Sequence, residues 1–110
     1  MDALARHRQL ATQFPDNELA RFSLGRALLD QGNPAEARGH LGAALARKPD
    51  WMAVQILIGK CDLELGRIAE ARAAFLKARD LAIAQHHEGP LAEVEGLLSD
   101  LPESSGTTEA

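Results

Sequence analysis

The 110-residue sequence contains a single cysteine, no tyrosine and only 4% aromatic residues. One cysteine, Cys61, excludes an internal disulfide, and nothing else in the composition indicates an oxidising compartment. Long hydrophobic runs are also lacking, since runs such as residues 56–59 are far shorter than the roughly 20 residues that a membrane-spanning helix needs. No basic segment followed by an apolar one opens the chain, so we expect a cytoplasmic protein that does not bind a membrane.

An excess of positive charge is missing too. The net charge is −4, and the arginines are interspersed among aspartates and glutamates. No basic field therefore exists to attract a phosphate backbone, and nucleic acid is not an expected partner. Alanine is abundant and β-branched residues are scarce, which favours helix over sheet throughout the chain. The length is that of one globular domain.

What the sequence does contain is an internal repeat, in which residues 15–48 resemble residues 49–82. The identical pairs include an initial Pro-Asp, two glycines and an Ala-Glu-Ala-Arg run; they are Pro15/Pro49, Asp16/Asp50, Gly25/Gly59, Leu29/Leu63, Gly32/Gly66, residues 35–38 with 69–72, and Ala44/Ala78. A fixed period of this size indicates a solenoid, in which each unit buries its apolar face against its neighbours.

Proline, glycine and capping residues divide the chain into six predicted helices. Asp16 or Asn17 can cap the second helix, Gly32 ends it, and Asn33 with Pro34 begins the third. The predicted helices span about residues 2–13, 17–31, 34–48, 51–65, 68–86 and 90–101.

The C-terminal part of the chain divides into a helix and a tail. The last predicted helix carries an apolar stripe that we expect to cover the open edge of the second repeat, formed by Leu91, Val94, Leu97, Leu98 and Leu101. Residues 103–110 are rich in Ser, Thr, Gly and Glu and are predicted to be a disordered tail.

Two glycines, Gly25 and Gly59, occupy the same mid-helix position in the two repeats. Glycine costs about 1 kcal/mol relative to alanine at such a position. Because the sequence accepts this cost twice at one phase, we expect two helices to approach each other closely there.

These residues resemble a known family, the tetratricopeptide repeat, which is a helix–turn–helix unit. The first copy has the family's order of small and large residues in Leu24-Gly25, Leu28, Gly32, Ala37, Leu41, Ala44 and Pro49, and the second copy has it in Ile58-Gly59, Gly66, Ala71, Phe75 and Ala78. The resemblance implies an all-α fold, a right-handed α-solenoid of antiparallel helix pairs with about six helices. It covers one domain, residues 1–102, with an N-terminal helix at 2–13, repeats at about 15–48 and 49–82, and a C-terminal capping helix at 90–101.

The candidate binding site follows from the first helix of each repeat. The face opposite the packing side carries equivalent residues in the two repeats: Leu19, Phe22, Arg26, Leu29 and Asp30, then Ala53, Ile56, Lys60, Leu63 and Glu64. In tetratricopeptide proteins this face lines a concave groove that receives extended peptides or a partner's helix. The resemblance therefore implies a non-catalytic protein–protein interaction module. An alternative is that flanking helices or a second copy of the chain cover the apolar members of this face.

The charges on this face point to the nature of the guest. Arg26 and Lys60 share one phase, so their adjacent positive charges favour an acidic peptide or a C-terminal carboxylate. Alternatively, Asp30 and Glu64 neutralise them as ordinary i,i+4 surface pairs. The clamp that binds the C-terminal carboxylates of heat-shock chaperones is not expected, because Phe22 stands at one of its polar positions.

Other residues that can carry chemistry are interpreted as structural. Adjacent histidines such as His86 and His87 point about 100° apart on a helix, and no further ligand stands at the required spacing, so no metal site is predicted. No catalytic set or phosphate-binding loop is present, and we expect neither an enzyme nor a cofactor. Cys61 is predicted to be a small buried side chain, and Trp51 to pack between the repeats.

Two questions remain open at the level of sequence. Asp62 stands where the family has a Tyr-like residue, so it is either buried beside Arg38, Arg67 or Arg72, or solvated by a slight rotation of its helix; we favour the solvated position. The alternative to an interaction module is a self-assembling structural unit, which forms a homo-oligomer through the open edges of the solenoid.

Overall fold

The computed structural model describes residues 2–102, which form six α-helices and no strand. The helices are α1 (Ala3–Gln13), α2 (Glu18–Asp30), α3 (Pro34–Arg47), α4 (Met52–Glu64), α5 (Ile68–Ala84) and α6 (Glu88–Asp100). The predicted all-α solenoid is confirmed. The predicted tail at 103–110 lies outside the described residues.

Side-chain caps fix the first two helix starts. The Asp2 carboxylate accepts a hydrogen bond from the Ala5 N–H at 2.7 Å, and the Asn17 side chain accepts one from the Ala20 N–H at 2.9 Å. Of the two predicted caps for α2, Asn17 is therefore the one used. Each cap satisfies an N–H group that has no partner inside the helix.

Three helices, α2, α4 and α5, end in the same backbone motif, with a residue of positive φ just beyond the helix. That residue is Gly32 (φ 82°), Gly66 (φ 77°) or His86 (φ 57°). In each case the next residue donates its N–H to the carbonyl five residues earlier, as His87 does to Ala82 at 2.9 Å. This is the Schellman motif, in which glycine is the preferred residue because it lacks a β-carbon.

The motif at His86 corrects two predicted boundaries. The fifth helix ends at Ala84, not at His86, and α6 begins at Glu88, not at residue 90. Because the chain has already turned at His86, His87 can serve as the N-cap of α6. Pro90 then lies in the first turn of α6, where its missing N–H leaves no hydrogen bond unmade.

The helices pack in chain order, each against the next, and α2 also touches α4. The core forms two clusters. One joins α2, α3 and α4 around Leu28, Leu41 and Val54. The other joins α5 and α6 around Phe75 and Val94, with Leu97, Leu98 and Leu101 packed against it. The apolar stripe of α6 thus covers the second repeat, as expected.

The two mid-helix glycines lie against large side chains of the second helix of their own repeat. A β-carbon built at Gly25 would lie 2.6 Å from Leu41 Cγ, and one at Gly59 would lie 2.6 Å from Phe75 Cδ1. Carbon atoms in contact lie about 3.5–4.0 Å apart. The expectation of close packing at both glycines agrees with this geometry.

Asp62 is buried, with only 1% of its surface exposed, so the favoured solvated position is wrong. Arg38 of α3 reaches across the repeat boundary, and its Nε donates to Asp62 Oδ1 at 2.7 Å while Nη2 donates to Oδ2 at 3.4 Å. Arg67 adds a longer contact to Oδ1 at 3.9 Å. The hydrogen bond to Asp62 raises the pKa of Arg38. The carboxylate is tolerated inside the core because this bidentate partner compensates it.

Candidate functional site

One side of the solenoid forms an open groove of about 660 Å³ between the first helices of successive units. Helices α2 and α4 line it, and α6 closes it at the C-terminal end. The residues that line the groove are Phe22, Arg26, Leu29, Asp30, Met52, Ala53, Ile56, Leu57, Lys60, Leu63, Glu64, Pro90, Glu93 and Leu97. Every residue of the predicted face except Leu19 is among them.

Leu19 lies elsewhere. It is 59% exposed and belongs to a depression between α1 and α2. Its repeat equivalent, Ala53, lies on α4, which has α2 on one side and α6 on the other. Leu19 lies on α2, and among the described residues no first helix of a preceding repeat stands beside it. Helical phase alone therefore assigned Leu19 correctly to a face but wrongly to the groove.

The floor of the groove is more deeply packed than an exposed apolar strip. Leu29 and Ile56 are buried, and Phe22 and Leu63 are half-buried. The Phe22 ring packs on Trp51, with centroids 4.8 Å apart and planes tilted by 37°. The Lys48 ammonium lies 5.4 Å from the centroid of a Trp51 ring. Trp51 thus joins the two repeats, as predicted, and supports one wall of the groove.

The two groove cations have different surroundings. Lys60 Nζ lies 3.1 Å from Glu93 Oε2 of α6. Within residues 2–102, neither Arg26 with Asp30 nor Lys60 with Glu64 forms an ion pair within 4.0 Å. The alternative of i,i+4 neutralisation is therefore not observed. Lys60 instead pairs with Glu93 of α6, a contact that the sequence analysis did not predict.

A second polar cluster lies away from the groove, between α1, α2 and α3. Arg8 forms a bidentate hydrogen-bonded pair with Glu36, one of its contacts being 3.0 Å, and this pair lowers the pKa of Glu36. Arg21 Nη1 lies 3.0 Å from His40 Nδ1. Burial, together with the positive charge of Arg21, lowers the pKa of His40. These contacts tie three helices together and bring no nucleophile to a cleft.

The other residues that can carry chemistry have structural surroundings. Cys61 is fully buried, and burial raises the pKa of its thiol to about 11, so it is not activated as a nucleophile. Between residues 2 and 102, no group of three or more His, Cys, Asp or Glu side chains could hold a metal ion. In the same span, no helix combines the length and the apolar character needed to cross a membrane.

Comparison with known sequences points to one family. The family model described as "Tetratricopeptide repeat" matches residues 1–50 and 22–86. A TPR repeat-containing protein of Pseudomonas aeruginosa, PA0015, is 38% identical over 80 residues, which cover 73% of this chain and 74% of that protein.

Solved structures with the same arrangement of helices include two proteins of lower identity and one of intermediate identity. The type III secretion translocator chaperone SycD of Yersinia enterocolitica has a TM-score of 0.83 and 17% identity, over 89% of this chain and 68% of that one. PcrH, solved in complex with the chaperone binding region of PopD, has a TM-score of 0.82 and 23% identity, over 89% and 74%. BPP2914 of Bordetella parapertussis has a TM-score of 0.79 and 26% identity, over 90% and 86%.

Proposed function

The chain belongs to the tetratricopeptide repeat family, and we propose that it is a non-catalytic interaction module whose concave groove binds a peptide segment, extended or helical, of a partner protein. The observation that carries this proposal is the convergence of α2, α4 and α6 on one open groove with an apolar floor and a charged rim. Peptide-binding surfaces combine these two features, because apolar pockets supply affinity and charged rims supply orientation.

The floor favours hydrophobic anchors. Phe22, Leu63 and Leu97 keep part of their surface open to the groove while their remaining atoms pack against the core. Half-buried side chains of this kind are held in one conformation before the guest arrives, so that little entropy is lost on binding. We therefore expect two or three large apolar side chains of the guest to supply most of the binding energy.

The rim favours one anionic contact on the α2 side. Lys60 already pairs with Glu93, whereas Arg26 is exposed and, among residues 2–102, forms no ion pair within 4.0 Å. A carboxylate of the guest, on a side chain or at a C-terminus, would therefore be bound by Arg26. The acidic guest expected from sequence is thus retained in the proposal, with Arg26 as its contact and Lys60 as a structural residue.

A known complex of a structurally similar protein supports a protein partner. PcrH has been solved with a region of PopD bound, which shows that a fold of this shape can hold a segment of another protein. At 23% sequence identity, the likeness between PcrH and this chain concerns the fold alone. The partner of the present chain is therefore defined only by its chemistry, as an apolar segment with a carboxylate.

The test uses two matched alanine substitutions. Ala53 lies in the groove and is exposed, whereas Ala73 is exposed on α5 and does not line the groove. Proteins captured from the native cell by the wild-type chain would be identified, and their binding segment made as a synthetic peptide. Binding of that peptide would be followed by the fluorescence of Trp51, the one tryptophan, which packs on the groove residue Phe22.

We expect Ala53→Arg to weaken peptide binding by roughly tenfold or more, which corresponds to about 1.4 kcal/mol, because the new side chain fills the groove. Ala73→Arg should leave the affinity unchanged. Equal affinity of the two variants, with both folded by circular dichroism, would contradict the groove as the binding site.

A second pair of variants separates the two cations. Arg26→Glu should weaken binding of a carboxylate-containing peptide by roughly fivefold, the size of a single rim charge contact of about 1 kcal/mol. Exchanging Lys60 and Glu93 (Lys60→Glu with Glu93→Lys) keeps their pair and should have little effect. A loss in the exchanged variant as large as that of Arg26→Glu would show that Lys60 also contacts the guest.

A further inference from the structure

A second apolar surface lies at the N-terminal end of the solenoid, outside the groove. It is a depression of about 330 Å³, which we call the N-terminal face, lined by His7, Leu10, Phe14, Asn17, Leu19, Ala20 and Ser23. Three of its members, Leu10, Phe14 and Leu19, are 39%, 54% and 59% exposed. In the described part of the chain, Ile83 is the only other large apolar side chain this exposed, so the exposed apolar residues are concentrated on one face.

Helix α1 carries apolar residues on two sides. Leu4 and Ala11 point inward, where Ala11 is buried and Leu4 packs against the core cluster of the first repeat. Leu10, and Phe14 just beyond the end of the helix, point outward onto the N-terminal face. A helix with one apolar stripe is covered on one side, and a helix with two stripes is typical of a helix that is packed on both sides.

The repeat itself shows what kind of surface this is. One period further along the chain, His7, Leu10 and Ala20 correspond to Leu41, Ala44 and Val54. All three of those residues are fully buried, and Leu41 and Val54 share a cluster with Leu24 and Leu28 of the covering helix α2. Phe14 and Leu19 correspond to Lys48 and Ala53, which are exposed, whereas the part of the N-terminal face formed by His7, Leu10 and Ala20 is the same surface of the solenoid one period earlier, at a place where residues 2–102 supply no covering helix. It continues an interface that the molecule already uses internally.

We propose that a second copy of this chain covers the N-terminal face, and that the two copies form a two-fold symmetric dimer through α1 and α2. A copy of the chain is the occupant that the structure favours, because it brings the same concentrated apolar surface, and a two-fold axis places that surface against itself. The outward side of α1 at Leu10, together with Phe14 at the C-cap of α1, takes the place of the missing covering helix.

The charge distribution permits this contact. Each chain carries a net charge of −4, so two copies repel each other at most orientations. None of the residues that line the N-terminal face is an aspartate, glutamate, lysine or arginine. Pairing of the two faces therefore brings no like charges into the centre of the contact, where they would be costly.

The dimer leaves the groove accessible. The N-terminal face and the groove have no lining residue in common, and they lie on different sides of α2. A face-to-face pair is also closed, so it does not continue into a fibre. Each dimer would present two grooves, and a partner carrying two binding segments would gain avidity from them.

Sedimentation equilibrium of the purified full chain over a wide concentration range tests the proposal. We expect the wild type to approach twice the monomer mass, and Phe14→Glu with Leu19→Glu to weaken dimerisation by at least tenfold, because the two-fold axis brings the introduced carboxylates together. Ile83→Glu is the matched control, since Ile83 is similarly exposed, at 53%, but lies outside the face. Circular dichroism checks the fold, and Leu19→Lys is a milder variant if the double change unfolds the chain.

The outcomes are distinct. A wild-type chain that stays monomeric at its highest soluble concentration overturns the proposal, and so does a dimer that Phe14→Glu/Leu19→Glu leaves intact or that Ile83→Glu weakens equally. Added salt should not dissociate an apolar dimer, whereas salt-induced dissociation would indicate a charged interface elsewhere and overturn it. The affinity of the groove peptide should be unchanged by the face variants, so failure of the dimer is distinguishable from failure of the groove.

Discussion

The two repeats share one backbone plan but fill it differently. Where the first repeat places Leu28 in the core, the second places the carboxylate of Asp62, and both are almost fully buried. Where the first packs Leu41 under its mid-helix glycine, the second packs Phe75. The difference shows that an equivalent position tolerates opposite chemistry when a neighbour compensates for it, as Arg38 does for Asp62 across the repeat boundary.

The repeats also differ in how their outer sides are covered. Helix α4, which belongs to the second repeat, covers the C-terminal side of the first repeat. The C-terminal side of the second repeat is covered by a single helix, α6, whose Val94 is fully buried. Deletion of α6, by a stop after His87, should therefore have a larger effect than any single substitution. The second repeat would then expose the cluster around Phe75, and we expect aggregation or loss of cooperative unfolding.

Light scattering and urea unfolding measure this effect, and a stop after Pro102, which keeps α6, is the control. A chain without α6 that keeps the wild-type oligomeric state and unfolding midpoint would show that the second repeat needs no cover.

Removing the guanidinium from the core carboxylate is the next largest change. Arg38→Met leaves Asp62 buried with only the longer Arg67 contact. Breaking a buried ion pair typically costs about 3–5 kcal/mol, and we expect about 2–3 kcal/mol for this pair because Arg38 is partly open to water. Asp62→Leu, which copies Leu28 of the first repeat, should cost less, because an apolar side chain needs no partner.

The double variant, Arg38→Met with Asp62→Leu, should recover most of the stability lost in Arg38→Met. Denaturant midpoints of the four chains form a double-mutant cycle that isolates the pair. If Arg38→Met and Asp62→Leu lower the free energy of unfolding equally, and their effects add in the double variant, then Arg38 does not compensate for the buried charge of Asp62.

The two repeats also differ in the side chain that packs against the mid-helix glycine. Gly59→Ala places a β-carbon against the rigid Phe75 ring, whereas Gly25→Ala places it against Leu41, whose side chain can change rotamer. We expect Gly59→Ala to cost about 1–3 kcal/mol, the usual range for overpacking, and Gly25→Ala to cost less.

Gly39→Ala is the control, because nothing lies within 4 Å of its β-position. The second repeat already has alanine there, at Ala73. This variant should be stabilised by about 0.5–1 kcal/mol through helix propensity alone. A gain of that size in Gly59→Ala would show that Phe75 can move away and that close packing does not require the glycine.

The smallest expected effect concerns the C-terminal end of α5, the third helix that ends in a Schellman motif. His86 has φ of 57° where Gly32 and Gly66 hold the same place after α2 and α4. His86→Gly should raise the free energy of unfolding by about 0.5–1 kcal/mol, since glycine adopts this conformation without strain. Gly66→His is the mirror change and should lower it by a similar amount. Opposite signs would mean that contacts of the His86 side chain outweigh the strain of its backbone.

Much of this architecture could be predicted from the sequence, because the repeat fixes local features. The phase of Gly32 and Gly66 located the helix ends, and Asn17 marked a helix start. Prediction was less accurate at the end of α5, where the same turn is made by His86, a residue that gives no such signal.

The candidate site was predictable as a face but not as a set of contacts. Periodicity identified the residues of α2 and α4 that lie in the groove, since equivalent residues of stacked repeats share a direction. Glu93, which holds Lys60, was missed because it comes from α6, whose register depends on tertiary packing. The wrong alternative was favoured for Asp62 for a similar reason, because Arg38 lies 24 residues away in sequence and the sequence does not show that stacking of the repeats brings it near.

The pairing of Arg38 with Asp62 also determines which of the two repeats can be duplicated to lengthen the solenoid. Arg72 occupies in the second repeat the place of Arg38 in the first, and at present it donates to the Pro102 carbonyl at 2.9 Å. If residues 49–82 were duplicated in tandem, each new copy would offer its own aspartate to the arginine before it. A duplicated first repeat would offer Leu28 instead and leave that guanidinium facing an apolar side chain. The second repeat is therefore the unit from which longer arrays can be built, and the first is suited only to begin them.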